Sequence, residues 1–150
     1  MGKVINMIKS AVAAALILAA CPLPAAAQQA PVEPGPNAVD PLDAAVLFQQ
    51  VCTASAPDFT GVPKVLSALP FQQHPETGTF YHRDLDLSFK VQDRDGEMQC
   101  SMVFGTEMLD SSDTLALTLA GSGAPMETIV TDPQTHDGRI YVAVFGIGQP

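Results

Sequence analysis

Positive charge is scarce in this chain. Seven Lys and Arg stand against 16 Asp and Glu, a formal net charge of −9. There is no basic stripe and no glycine-rich loop that would cradle a phosphate. A chain of this sign repels phosphate backbones and anionic bilayers, so nucleic acid is a poor partner. Gly121-Ser122-Gly123 lacks the Gly-x-Ser-x-Gly pattern of a serine nucleophile and reads as a flexible turn. Internal repeats are lacking. So is an apolar run of the about 20 residues that a transmembrane helix needs. The run Ala11 to Ala20 supplies ten.

That run is instead the middle of an expected export signal. Lys3 and Lys9 precede it, and a small-residue stretch with Pro22 and Pro24 follows. Two cleavage readings compete. Leu18-Ala19-Ala20-Cys21 reads as a lipoprotein box, with lipid on Cys21 and anchoring to the outer membrane. Ala25-Ala26-Ala27 reads as an ordinary signal-peptidase site, with release before Gln28. Pro22 disfavours cutting at Cys21, whereas a Pro-rich stretch after a lipid-bearing Cys suits a tether. Release before Gln28 is the favoured reading. The expectation is a periplasmic or secreted protein, touching a membrane only if Cys21 is lipidated.

Removing residues 1–27 leaves 123 residues, enough for one domain with a modest core. Lys3 and Lys9 leave with the signal and every acid remains, so the net charge becomes −11. Cys52 and Cys100 are then an even pair in an oxidising compartment. A bridge between them would stabilise by roughly 4 kcal/mol through loop closure. It would leave no free thiol for nucleophilic work.

Residues 28–41, with four prolines, read as an extended linker of about 40 Å, and residues 42–148 as a single domain. Asp40 suits a helix N-cap, Pro41 its first position and Asp43 its third. The helix should run from Pro41 to about Ala54, with Ala44, Leu47, Phe48, Val51 and Ser55 on one face. A shorter helix is expected from Pro63 to Leu69, stopped by Pro70, with a polar loop after it. Residues 78–82 should form a strand. A hairpin follows, in which Leu85, Leu87, Phe89 and Val91 alternate with polar residues, as do Met98, Cys100, Met102 and Phe104. A three-residue loop would set an apolar row against a polar one. A four-residue loop pairs Val91 with Met98 and Phe89 with Cys100, and is preferred. Both cysteines then point at one core.

Residues 113–120 carry two signals. Leu115, Leu117 and Leu119 alternate as in a strand, yet Ser112 or Asp113 suits an N-cap and Gly121 an exit. The helix reading is preferred. Residues 126–131 and 139–146 should form a closing hairpin, the second strand central. The fold expected is α+β: an antiparallel sheet of about five strands, two or three helices on one face, and one disulfide.

The helix ending in Phe48-x-x-x-Cys52, then GTFYHRDLDLSFKV, then QCSMVF, resembles small exported proteins of Gram-negative bacteria with no assigned activity. The likeness spans roughly Phe48 to Phe104. It implies export and the cysteine pairing, and it brings no catalytic residues.

Chemistry, if any, would sit in HPETGTFYHRDLD. On a continuous strand His82, Asp84 and Asp86 share a face opposite Leu85 and Leu87, and could offer an imidazole and two carboxylates to a metal. His74 and His136 are further candidate ligands. The plainer reading is a solvated strand face, with His136-Asp137-Gly138 as a hairpin turn. DRDGE lacks the later acids of a calcium loop and also reads as a turn. No cofactor is implied. The leading expectation is a non-enzymatic accessory or binding module for an envelope protein or small molecule, acting through a sheet surface or a loop. A small metal-assisted hydrolase is the alternative. A carrier of an apolar ligand is a third.

Overall fold

Asp40 starts the ordered helical layer. Its carboxylate accepts the Leu42 amide at 2.8 Å, and Pro41 fills the first position of α1 (Pro41–Val51). The structure is a computed structural model that describes residues 33–150. The expected export signal, both cleavage sites and the first part of the linker lie outside the described residues.

α1 buries Ala44, Ala45, Phe48 and Val51, close to the expected stripe. It ends three residues early. The chain tightens into a 3-10 turn (Thr53–Ser55), and the Thr53 hydroxyl donates to the Ala120 carbonyl at 2.8 Å. α2 (Val62–Ser67) buries Val62 and Leu66. α3 (Ser111–Leu119) confirms the helix reading of that segment. Its N-cap is Asp110, in place of the expected Ser112 or Asp113. Asp110 and Asp113 exchange side-chain-to-amide hydrogen bonds at 2.9 and 3.0 Å, a capping box. Only Leu117 of the three alternating leucines is buried.

Among the described residues the sheet has seven antiparallel strands: β1 (Phe71–Gln73), β2 (Phe80–His82), β3 (Leu87–Arg94), β4 (Glu97–Thr106), β5 (Met126–Val130), β6 (Gln134–His136) and β7 (Arg139–Gly148). Their order is β1-β2-β3-β4-β7-β5, with β6 also on β7. About five strands were expected. The extra ones, β1 and β6, are three residues long and sit in stretches expected to be loops. β7 is central, as its near-continuous apolar sequence suggested.

The β3–β4 register differs from the one expected. Phe89 faces Met102 and Val91 faces Cys100, two residues away from the anticipated pairing. Asp95 (φ 56°) and Gly96 (φ 88°) both take left-handed conformations, so the loop has two residues. That tight turn matches the strand twist and adds the pairs Asp93–Met98 and Arg94–Glu97. A shift of two keeps every side chain on its intended face.

The three helices cover the face bearing Leu87, Phe89, Met102, Phe104, Val142 and Val144, which join Phe48, Val51, Phe59 and Leu66 in one core. Gly146 leaves room there: a β-carbon would press on Met126 and Phe48. Cys52 and Cys100 are fully buried and bonded, their α-carbons 5.7 Å apart. That distance is ordinary for a disulfide. The fold is α+β with this one bridge.

Residues 35–39, expected to be linker, pack on the domain. Val39 joins the core and donates to the Gly105 carbonyl at 2.8 Å. Asn37 pairs with Leu85 in a parallel bridge. Its Pro-rich composition hides this strap, because the bonds it makes are to groups far along the chain.

Candidate functional site

Among the described residues no helix covers the second face of the sheet. By register it presents Ser88, Lys90 and Gln92 of β3, Gln99, Ser101 and Val103 of β4, Tyr141, Ala143, Phe145 and Ile147 of β7, and Glu127 and Ile129 of β5. Val103 lies opposite Ala143, and Ile129 opposite Phe145. These form a continuous apolar patch, with Val103 39% and Ile129 42% exposed. Gln92 donates to Gln99 at 2.8 Å beside it.

One end of this face is polar and built around Asp86, which is 7% exposed. Its Oδ2 accepts from Arg139 Nη1 at 3.0 Å and from the Tyr141 hydroxyl at 2.8 Å. Its amide donates to the Asn37 carbonyl at 2.7 Å, and its carbonyl accepts from Gly105 at 2.9 Å. Gly105 has no side chain because the Asp86 carboxylate and Arg139 occupy that space. Arg139 Nη1 also donates to the Pro36 carbonyl at 3.0 Å, which closes the strap over the pair. The hydrogen bond to Asp86 raises the pKa of Tyr141 above the ordinary phenol value, and burial adds to it. The separate hydrogen bond from Arg139 to Asp86 raises the pKa of Arg139. An open recess of about 310 Å³ adjoins the group, lined by Glu107, His136, Asp137, Arg139 and Tyr141. The sequence pattern singles out Asp86 but not its side-chain partners Arg139 and Tyr141, which lie 53 and 55 residues away.

The remaining candidates are dispersed. β2 stops at His82, and the chain turns through residues 83–86, so the face expected to hold His82, Asp84 and Asp86 together is not formed. His82 points to the helical side, where its ring meets Phe71 edge-on at 5.0 Å. Its Nδ1 accepts from the amides of Asp84 at 3.1 Å and Leu85 at 3.0 Å. Burial lowers its pKa, against a smaller upward pull from Asp84. Asp84 is exposed. His74 caps the β1–β2 turn, its Nδ1 accepting from Glu76 and Thr77 at 3.2 and 3.3 Å. About three residues of strand, near 10 Å, separate it from the end of β2 that holds His82. His136 lies in the β6–β7 hairpin, 3.1 Å from the exposed Asp137 carboxylate. Four strand spacings, about 19 Å, lie between β2 and β6. Among the described residues no three His, Cys, Asp or Glu side chains are grouped to hold a metal ion.

Two other clefts among the described residues are shallow. One of about 230 Å³ runs between α1 and α3, floored by Ala45, Ala116 and Ala120 with Leu42, Val46 and Leu119 on its rims. Another, of about 330 Å³, lies by Pro57, Met98 and Gly148.

The chain matches no family model, no curated protein and no solved structure.

Proposed function

We propose that this chain is an exported, non-enzymatic binding module that docks an envelope protein through the helix-free face of its sheet. The observation that carries this is the patch formed by Val103, Ala143, Phe145 and Ile129. Solvated sheet faces are usually polar along alternate positions, as β3 is here, but the β7 positions Ala143 and Phe145, with Val103 and Ile129 beside them, are aliphatic and aromatic. Aromatic side chains on a rigid, hydrogen-bonded surface lose little entropy on docking. The expected signal places the module in the periplasm or outside the cell, released before Gln28 or held through a lipid on Cys21.

A photocrosslinking residue placed in turn at Val103, Ile129, Leu119 and Glu76 tests the reading in cells. Discrete adducts from Val103 and Ile129, absent from Glu76, are expected. Adducts confined to Leu119 would move the docking surface to the α1–α3 groove. Adducts from all four positions alike, or from none, would end the proposal.

A further inference from the structure

His82 holds the turn on which the N-terminal strap is seated. Its Nδ1 is an acceptor for two backbone amides, Asp84 and Leu85, so in this structure that nitrogen carries no proton. The same short turn receives the strap. The Gly35 amide donates to the carbonyls of His82 and Leu85, both at 2.9 Å. The amide and the side chain of Asn37 both donate to the Asp84 carbonyl, at 3.1 and 2.9 Å. The Asn37 carbonyl accepts from Asp86. Gly35 has no room for a β-carbon against the Asp84 backbone. The strap therefore fits only this shape of turn.

We infer that His82 and the strap form an acid-released clasp, in which protonation of His82 at Nδ1 opens the turn and frees residues 35–39 from the sheet. The proton comes from solvent. It turns an acceptor into a third donor aimed at two N–H groups. The turn must then open or the ring must rotate away, and either leaves the Asp84 and Leu85 amides without that partner.

The surroundings of the ring favour such a change. β1 offers it the neutral ring of Phe71, and the strap offers backbone. Asp84, in the same turn, is the charged group that acts on His82, and it attracts the imidazolium. Arg83 is exposed. Closed, the ring is partly desolvated and neutral. Open, it is hydrated and can pair with Asp84. The clasp is fully closed above the unperturbed histidine value of about 6.5 and is lost as pH falls from there through the depressed folded value. Opening also removes Pro36 from Arg139 and Asn37 from Asp86, which uncovers the polar end of the helix-free face. The clasp stands on its own geometry and does not depend on the docking role proposed for that face.

Amide hydrogen exchange on the purified chain, followed from pH 8 to pH 5 and expressed as protection factors, tests it. Protection of Asp84, Leu85, Gly35 and Asn37 should fall together, by up to about tenfold per pH unit below about 6.5. Met102 and Val144, in the central strands, should keep theirs. The variant His82→Asn keeps a side-chain acceptor that does not titrate, so its strap protection should not depend on pH. Should that variant fail to fold, the imidazole carbon shifts of the unaltered protein decide. Strap amides changing with the midpoint of His82 support the clasp. Strap amides that follow His74 or His136, or that stay protected while His82 titrates, overturn it.

Discussion

Asp86, in the turn before β3, and Arg139, at the start of β7, are 53 residues apart in sequence and 3.0 Å apart in space. The pair ties the strap, the β3 entry and the last strand into one corner. Arg139→Met leaves a sheltered carboxylate with a neutral hydroxyl as its remaining side-chain partner. Tyr141→Phe removes a neutral donor and leaves the cation. The first should lower the urea midpoint more than the second, because stranding a buried charge costs more than losing one hydrogen bond. Pairing Arg139→Met with Asp86→Asn should recover part of the loss. Equal midpoints for the two single variants would show that the charge contributes nothing here.

The Cys52–Cys100 bridge closes a separation of 48 residues. Its loss should destabilise by up to about 4 kcal/mol. For a domain of this size that corresponds to a fall in melting temperature of about 10–20 °C. Cys52→Ser, Cys100→Ser and the double variant should melt within a few degrees of one another, since the same bond is missing in all three. Two thiols titrating in the native protein would contradict the bridge.

Gly96 sits at φ 88° with open space around its α-carbon, and its amide donates to Asp93 at 2.8 Å. Gly96→Ala should therefore cost about 1–2 kcal/mol through backbone strain alone. Asp95→Asn should be close to neutral, because Asn tolerates the left-handed region well. Equilibrium urea unfolding measures both. A Gly96→Ala change within about 0.5 kcal/mol, the range of an ordinary surface substitution, would rule out strain as the reason for glycine.

Under the proposed export, the intact mass of the mature chain should correspond to one beginning at Gln28. A mass that includes a diacylglyceryl group on Cys21 would show the other peptidase at work and a tethered protein.

Where period and chemistry agree, the fold is legible without coordinates. Asp40-Pro41 marks a helix start. Phe89, Val91, Cys100 and Met102 mark two strands facing one core, and from them the disulfide follows. The same reasoning misses β1 and β6, because three residues do not establish a period. It misses the hairpin register because a shift of two leaves the buried faces unchanged, so only the tight Asp95-Gly96 turn distinguishes the pairings. The candidate site was legible in part. Asp86 stood out, but assigning it to one face with His82 assumed a continuous strand. The turn at 83–86 breaks that parity, and its cause lies in the strap near Asn37, which sequence spacing does not link to it.

β7 pairs with β4, β5 and β6, and it also brings Arg139 and Tyr141 to Asp86. It is the last strand of the described chain. Without it, β5 and β6 have no strand partner among the described residues, the long edge of β4 stands open, and the carboxylate of Asp86 lacks both side-chain donors. One strand therefore gathers pairings from segments spread along the described chain. A topology in which so many contacts join distant segments slows folding.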